Sequence, residues 1–253
     1  MTSMTIEQWL NQHGLLLCAF QWQDLPESLT SATYETLPDD AASQLTPHTL
    51  LMLLANAGPS FWRALQGSSI KTAQDPVDEF SVSIAKTFQA KFLESDQFTQ
   101  LYPTPAKRSH IPLMRLGGLA GWNIPSPLGL GLHPTFGPWS AYRVAWLTQS
   151  TQLPSDYVIQ PEHYKHIDLS ALHNAAELCV GCAAPCTTAC PAHAVKLGEP
   201  FNSDACYQHR KPTQSECHVH CAARRACPIG QEHQYDNDQL AHHMGMRWRN
   251  TQN

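Results

Sequence analysis

Nine cysteines occur in this chain of 253 residues, and eight of them lie close together near its C-terminal end. They form two runs, each ending in a Cys-Pro pair, with Cys206 alone between the runs. The runs are Cys179-x2-Cys182-x3-Cys186-x3-Cys190-Pro191 and Cys217-x3-Cys221-x5-Cys227-Pro228. Thiolates are soft ligands that select zinc, copper(I) or iron–sulfur clusters. The density of thiols therefore predicts metal chemistry in this region.

The order of the spacings resembles the Cys-x2-Cys-x2-Cys-x3-Cys-Pro run of two-cluster bacterial ferredoxins. There, the fourth cysteine crosses over to bind the other cluster. The same plan predicts two sets of four ligands, each holding one 4Fe-4S cluster. Set 1 is Cys179, Cys182, Cys186 and Cys227, and set 2 is Cys190, Cys206, Cys217 and Cys221. The departures are one extra residue before Cys186 and the wider gaps in the second run.

Two other interpretations of the cysteines stay open at this point. Zinc also takes four thiolates, although it has no use for a crossed arrangement. A disulfide framework is typical of small secreted chains, and no secretion signal opens this sequence. Four nearby histidines could each replace a thiolate: His193, His209, His218 and His220. Because eight cysteines already supply all the ligands of two clusters, we expect these histidines to form hydrogen bonds to the clusters or to face solvent.

The composition limits the possible partners. Charged residues make up only 15% of the chain, and the formal net charge is −5, which argues against a nucleic acid or an anionic membrane surface as partner. Residues 116–142 contain no Asp, Glu, Lys or Arg, but four prolines and six glycines in that stretch preclude a membrane-spanning helix. We therefore expect a cytoplasmic protein whose uncharged stretch forms buried loops and strands, as the lining of a large neutral ligand would.

Hydrophobic periodicity and capping signals predict the elements that must position these residues. We expect helices over residues 6–13, from residue 59, and over 76–88, 111–116 and 169–178. The helix over 76–88 should bury Val77, Phe80, Ile84 and Phe88, and the helix over 111–116 should end at two glycines. Strands are expected over 50–54, 128–132 and 142–146, and Cys18 is expected in a buried apolar run. The sequence thus predicts an α+β domain over residues 1–155 and a second, cysteine-bearing domain over 156–253.

Two resemblances to known families rest on particular segments. Residues 179–229, with a lone cysteine between two Cys-Pro-ended runs, resemble the double-cluster module of epoxyqueuosine reductases and corrinoid reductive dehalogenases. Residues 53–65, 74–88 and 131–147 are similar to cblC-type cobalamin-processing proteins. The most specific motif is His133-Pro134-x-Phe136-Gly137-x-Trp139, and epoxyqueuosine reductases have a similar one.

These resemblances imply a nitroreductase-like domain that binds cobalamin with its lower base detached, followed by a ferredoxin-like module that carries two 4Fe-4S clusters. The corrin lining that the resemblance implies lies in residues 117–146 and includes Trp122, His133, Phe136, Gly137 and Trp139. On the residues alone, an ordinary apolar core with a capped turn is the favoured interpretation of His133, Phe136 and Trp139, and the resemblances together with the cysteine runs favour a ligand lining instead.

The implied function is reductive handling of cobalamin: reducing cobalt, or removing its upper ligand, with electrons that an upstream reductase or ferredoxin delivers to the clusters. Two alternatives remain. An epoxyqueuosine-reductase-like enzyme is disfavoured because Ser109 occupies the position of that family's acidic proton donor, where only the neighbouring His110 offers a substitute. A plain ferredoxin-type carrier would leave the first 155 residues without a role.

Overall fold

A computed structural model of the chain describes residues 4–34, 37, 39–103, 111–150, 152–164, 167, 177–212 and 214–249. The chain forms two compact units. Unit 1 comprises Met1–Ala120 and Ala141–Leu169, and unit 2 comprises Gly121–Ser140 and Ser170–Asn253. The segment 121–140 thus packs with the cysteines, whereas the boundary expected at residue 155 would place it with the N-terminal residues.

Unit 1 is built on a four-stranded sheet with the order β1-β2-β4-β3. The strands are β1 (Leu15–Gln21), β2 (Thr49–Ala57), β3 (Thr99–Tyr102) and β4 (Ser140–Gln149). β1 pairs antiparallel with β2 from Leu15–Asn56 to Gln21–Leu50, and β3 pairs antiparallel with β4. β2 is buried over its whole length, as its continuous apolar run predicts. Cys18 lies on β1 and is buried, which confirms the expected core position.

The described part of unit 1 contains six α-helices: α1 (Ile6–His13), α2 (Glu27–Tyr34), α3 (Asp39–Ala42), α4 (Ser60–Gln66), α5 (Pro76–Phe88) and α6 (Leu113–Leu119). α1 begins at a capping box between Thr5 and Gln8 and ends at Gly14, whose φ of 62° suits glycine. α5 begins with Pro76 at its first position and buries the predicted apolar face. The helices α1, α4 and α5 confirm the predicted positions and pack with the sheet around Trp9, Phe61, Phe88 and Trp146, whereas α2 and α3 were not predicted.

In the uncharged stretch, the predicted end of one helix and one predicted strand are wrong. Gly117 and Gly118 lie inside α6 and do not end it. The reason is tertiary: a Cβ on Gly117 would overlap the hydroxyl of Tyr142, so the helix needs glycine there to accept that ring. Residues 128–132 form no strand, and only an isolated bridge joins Ile124 to Leu132.

Unit 2 consists of short helices and turns. The helices are α7 (Pro185–Thr188), α8 (Ser203–Arg210), α9 (Ala222–Ala226) and α10 (Asn237–Arg249). Single 3-10 turns span Glu177–Cys179, Glu216–His218 and Gln231–His233. The helix expected over residues 169–178 falls almost entirely outside the described part of the chain.

The core of unit 2 contains few large apolar side chains. Cys186, Cys190 and Cys227 are buried in it among small and aliphatic neighbours; these include Leu128, Leu132, Ala194, Val195 and Ala223. A second buried cluster of the unit consists of Trp139, Tyr235 and Leu240. Within the described residues of both units, no helix has the length and apolar character needed to cross a bilayer.

Candidate functional site

The four cysteines of set 1 line one recess in unit 2. Cys179 ends a 3-10 turn, Cys186 lies in α7, and Cys227 directly follows α9. The recess has about 360 Å³ of empty space, counted with its open mouth, and its other walls are mostly apolar: Pro127, Leu128, Leu132, Leu178, Leu197, Pro228 and Ile229. The N–H of Ala184 donates to Sγ of Cys182 at 3.4 Å.

The thiols of set 1 also affect one another's ionisation. Burial raises the pKa of Cys179, and the Cys182 and Cys227 thiols raise it further. The pKa of Cys186 is raised by burial first and then by Cys227 and Cys179. Such mutual effects arise only between groups that lie close together. Cys227 therefore joins the three cysteines from the first run, although some 40 residues separate it from them in the sequence.

Set 2 is assembled from four different turns and helices. Cys190 follows α7, Cys206 lies within α8, Cys217 lies in the turn Glu216–His218, and Cys221 caps α9 by accepting from the N–H of Arg224 at 3.4 Å.

The thiols of set 2 act on one another in the same way. Burial raises the pKa of Cys206, Arg210 lowers it, and Cys221 and Cys190 raise it. The pKa of Cys217 is raised by burial, Cys221, Cys190 and Cys206 in that order and lowered by Arg210. The thiols that shift the pKa of Cys206 and of Cys217 are thus all members of set 2.

For the five cysteines whose pKa the other thiols shift, those other thiols all belong to the same predicted set: Cys179, Cys186, Cys227, Cys206 and Cys217. Cys186 and Cys190 are close in sequence, yet the thiols that shift the pKa of Cys186 all belong to set 1. All nine cysteines are free thiols. Within the described ranges, no three His, Cys, Asp or Glu side chains form a group that could hold one metal ion.

Two of the four nearby histidines bond to backbone carbonyls. Nδ1 of His218 donates to the carbonyl of Arg210 at 3.3 Å, and Nδ1 of His220 donates to that of Glu216 at 2.8 Å. His193 and His209 are exposed, and His193 has a positive φ of 48°.

The segment 133–137 forms a closed loop in unit 2. The N–H of His133 donates to the carbonyl of Gly137 at 2.9 Å, and the N–H of Gly137 donates back at 2.8 Å. Gly137 and Gly230 both have positive φ, at 55° and 69°. A Cβ on Gly137 would overlap the carbonyl oxygen of Ile229, and one on Gly230 would lie 2.5 Å from the carbonyl of Phe136. The loop therefore packs directly on the chain that follows Cys227.

Trp139 belongs to the packed interior of unit 2. Its side chain is 0% exposed and packs with Tyr235 and Leu240. The Arg224 guanidinium lies 4.7 Å from the Trp139 ring centroid and 4.8 Å from that of Tyr235, and its Nε donates to the carbonyl of Pro138 at 3.0 Å. The ring of Trp139 thus has no surface free for a ligand in this structure.

His133 and Phe136 of the motif form a row of rings with two residues outside it. We call this the aromatic row: Trp122, His133, Phe136 and His233. Neighbouring ring centroids are 6.2, 5.0 and 4.5 Å apart along it. Trp122 and Phe136 are half-buried, so part of each ring remains accessible. Among the aromatic residues named for the predicted corrin lining, Trp122 and Phe136 are therefore the two with accessible ring surface.

His133 is held as a neutral ring. Its Nδ1 accepts from the N–H groups of Thr135 at 3.1 Å and Phe136 at 3.3 Å, so the proton lies on Nε2. Burial, and then the nearby His233, lower the pKa of His133 to about 4. A histidine that ligates a metal normally donates from its other nitrogen. His133 is therefore built as a hydrogen-bond donor and not as a metal ligand.

The two ends of the predicted lining, residues 117–120 and 141–146, lie in unit 1. Residues 117–120 belong to α6 and the turn after it, and residues 141–146 belong to β4, where Val144 and Trp146 are fully buried in the core. Nε1 of Trp146 donates to Oε1 of Gln89 at 2.8 Å. Ser109 and His110, the positions considered for a proton donor, lie outside the described residues.

Unit 1 contains a cavity that the sequence did not indicate. Its empty space is about 1080 Å³ with its mouth, and its lining includes Asp75, Asp78, Glu79, Lys86 and Gln100. Burial raises the pKa of Asp78, Arg143 lowers it and Asp75 raises it. This charged lining differs from the uncharged one expected around a corrin. Asp75, Asp78 and Glu79 lie at the start of α5, where acidic side chains are common because they interact favourably with the helix dipole. Their presence in the sequence therefore did not indicate a cavity.

Helices packed with an antiparallel-paired sheet define an α+β protein, as predicted. No family model and no curated protein sequence matches the chain. Among solved structures, the fold is similar to that of a C. elegans B12-trafficking protein CblC, described as a human MMACHC homologue. The TM-score is 0.53 at 14% sequence identity, and the match covers 96% of this chain and 91% of that one. The likeness at this identity is one of fold.

Proposed function

We propose that this chain is an iron–sulfur protein that reduces base-off cobalamin, or removes its upper ligand, with electrons from two 4Fe-4S clusters. The observation that supports the proposal is that five of the eight free thiols have their pKa shifted by other thiols of their own predicted set and by none of the other set, which fits the crossed order that a two-cluster protein needs. An external reductase or ferredoxin would supply the electrons.

The residues of both sets fit a cubane in their chemistry. Each set offers four thiols and one backbone N–H···S bond, to Cys182 in set 1 and to Cys221 in set 2. Hydrogen bonds to sulfur and a dry surrounding are among the features by which proteins tune such clusters. When bound, the clusters would supply single electrons at low potential.

Zinc is the competing occupant of four thiolates. Four sulfurs at 2.3 Å from one tetrahedral ion lie roughly 3.8 Å from each other. Four irons and four sulfides fill the centre of a cubane, so its thiolates lie further apart than those around one ion. Iron and zinc thus require different spacings from the same residue types, and analysis of the bound metal decides between them.

Cobalamin enters the proposal through the fold and the aromatic row. The structural neighbour is titled a B12-trafficking protein, and the match extends over nearly the whole chain. In unit 2, Trp122 and Phe136 offer flat apolar surface suited to the rim of a corrin. Nε2–H of His133 would donate to an amide of the corrin side chains, and its tautomer argues against a role as cobalt ligand. Gly137 and Trp139 would not contact the corrin themselves but would hold the loop in place, Gly137 by packing on Ile229 and Trp139 by packing on Tyr235.

The test is anaerobic reconstitution followed by two measurements. The protein should bind roughly eight irons per chain, because two cubanes hold four each. Titration with cob(II)alamin should then shift the visible absorption to shorter wavelength, as loss of the lower base does. Phe136→Ala and Trp122→Ala should weaken this binding at unchanged iron content. Leu130→Ala, which truncates an exposed apolar residue of the same segment, should leave it unchanged.

The outcomes separate the two halves of the proposal. Zinc without iron in anaerobically prepared protein would contradict the clusters. Eight irons with no spectral shift at saturating cobalamin would leave a plain electron carrier. Trp139→Ala is not a suitable binding variant, since truncation of a fully buried Trp costs about 3–5 kcal/mol of stability.

A further inference from the structure

Arg210 is the cation that acts on set 2. It lies four residues after Cys206 on α8, so both side chains project from the same face of that helix. Its Nε donates to the carbonyl of Cys217 at 3.1 Å, and its Nη2 donates to the carbonyl of Met244 on α10 at 2.5 Å. The guanidinium also lowers the pKa of the Cys206 thiol, so its positive charge lies near that sulfur. Arg210 thus contacts two of the four ligand-bearing segments of set 2.

Set 1 has different surroundings. The charged neighbours that shift the pKa of Cys179, Cys186 and Cys227 are all other thiols of set 1. The walls of its recess are mostly aliphatic side chains and prolines. Two further arginines lie on α9: Arg224 directs its guanidinium to Pro138, Trp139 and Tyr235, and Arg225 directs its guanidinium to Gln234 and Asn237. The two sets therefore differ in local charge, with the cation on the side of set 2.

This difference bears on electron uptake. One-electron reduction adds a negative charge to a cluster whose thiolates already make it anionic. A cation held by hydrogen bonds beside the thiolates stabilises the reduced cluster more than the oxidised cluster. An apolar recess has the opposite effect, because it destabilises the more negatively charged reduced cluster. Arg210 is half-buried, so solvent screens its charge less than that of an exposed residue.

We propose that Arg210 raises the midpoint potential of the cluster on set 2 above that of the cluster on set 1, so that the first electron taken up by the chain resides on set 2. The inference rests on the proposed iron–sulfur function and names Arg210 as a positioning residue. The step is a plain one-electron transfer: an external one-electron reductant loses the electron, the cluster on set 2 gains it, and no bond or proton changes.

The test is a redox titration of the reconstituted protein with dithionite, followed by EPR. Cys206→Ser identifies the signal of set 2 by its loss or change. In the wild type, the set 2 signal should develop first. Arg210→Gln should lower the reduced-to-oxidised ratio of set 2 about tenfold at fixed potential, which equals about 59 mV for one electron. The set 1 signal should not move.

Two further variants make the result decisive. Lys211→Gln removes the same charge one residue further on, from an exposed side chain, and should shift neither cluster. Arg210→Lys keeps the charge, so set 2 should still fill first even if Arg210→Gln fails to retain its cluster. Prior filling of set 1 in the wild type, or equal shifts of both signals in Arg210→Gln, would overturn the inference. Protein without iron would instead overturn the proposed function.

Discussion

The close contact between Gly137 and Gly230 leads to a quantitative prediction for Gly137→Ala. Gly137 has a φ of 55°, and a Cβ there would overlap the carbonyl oxygen of Ile229 and lie 2.7 Å from its carbonyl carbon. The left-handed conformation alone costs a non-glycine residue about 1–2 kcal/mol. Relief of the overlap requires a backbone shift, which typically costs about 1–3 kcal/mol more. We therefore expect a loss of about 2–5 kcal/mol in total.

Gly198→Ala separates these two contributions. Gly198 lies in the same unit with a φ of 73°, and nothing lies within 4 Å of the position of its Cβ. It should therefore cost only about 1–2 kcal/mol, from the backbone conformation. The assay is the midpoint of thermal unfolding of anaerobic, iron-loaded protein, followed by circular dichroism at a fixed scan rate.

The site of the damage in Gly137→Ala should also be specific. Ile229 lies two residues after Cys227, so the backbone shift should reach a ligand of set 1 and leave set 2 with its cluster. EPR of the reduced protein measures this directly. Equal midpoints for Gly137→Ala and Gly198→Ala, or loss of the set 2 signal first, would refute the reasoning from the glycine contact.

Two further predictions concern the thiol sets and His133. Cys186→Ala should impair the same EPR signal as Cys227→Ala, and Cys190→Ala the same signal as Cys206→Ala; grouping by sequence proximity instead would contradict the crossed sets. The pKa of His133 is lowered from 6.5 to about 4, so between these values the unfolded chain binds a proton that the folded chain does not. The protein should therefore lose about 1 kcal/mol of stability through His133 between pH 7 and pH 5.5, measured by urea unfolding. His133→Gln should remove that part of the slope, whereas the exposed His209→Gln should keep it.

The elements predicted correctly are those fixed by local chemistry. α1 follows from its capping box and terminal glycine, α5 from Asp75-Pro76 and its apolar period, and β2 from an unbroken apolar run. The wrong predictions concern positions where a residue distant in the sequence determines the local backbone conformation. Gly117 remains helical because the Tyr142 ring takes the place of its side chain. Gly129, in the alternating Leu-Gly segment, adopts a φ of 66°, and Phe201 lies where its Cβ would be, so this alternation reflects loop packing and not a strand.

The candidate metal ligands could be predicted because ligand number and order are properties of the sequence itself. The surroundings of the two sets could not be. Arg210 shares a helical face with Cys206, a spacing of four that can be recognised in the sequence, but its bonds to Cys217 and Met244 depend on how α8, α10 and the turn between them pack. Charge beside a cluster is a tertiary property, so it became visible only in the structure.

The His-Pro-x-Phe-Gly-x-Trp motif shows why sequence alone could not separate a ligand lining from a core. Its members have three different roles within one loop: Gly137 permits contact with the chain after Cys227, Trp139 is buried under Arg224, and only His133 and Phe136 belong to the aromatic row. Phe136 itself lies against Gly230, three residues after a set 1 ligand. A substitution in this loop can therefore act on a bound corrin, on a cluster or on both. Iron content has to be measured before any change in cobalamin binding by such a variant is attributed to lost ring contact.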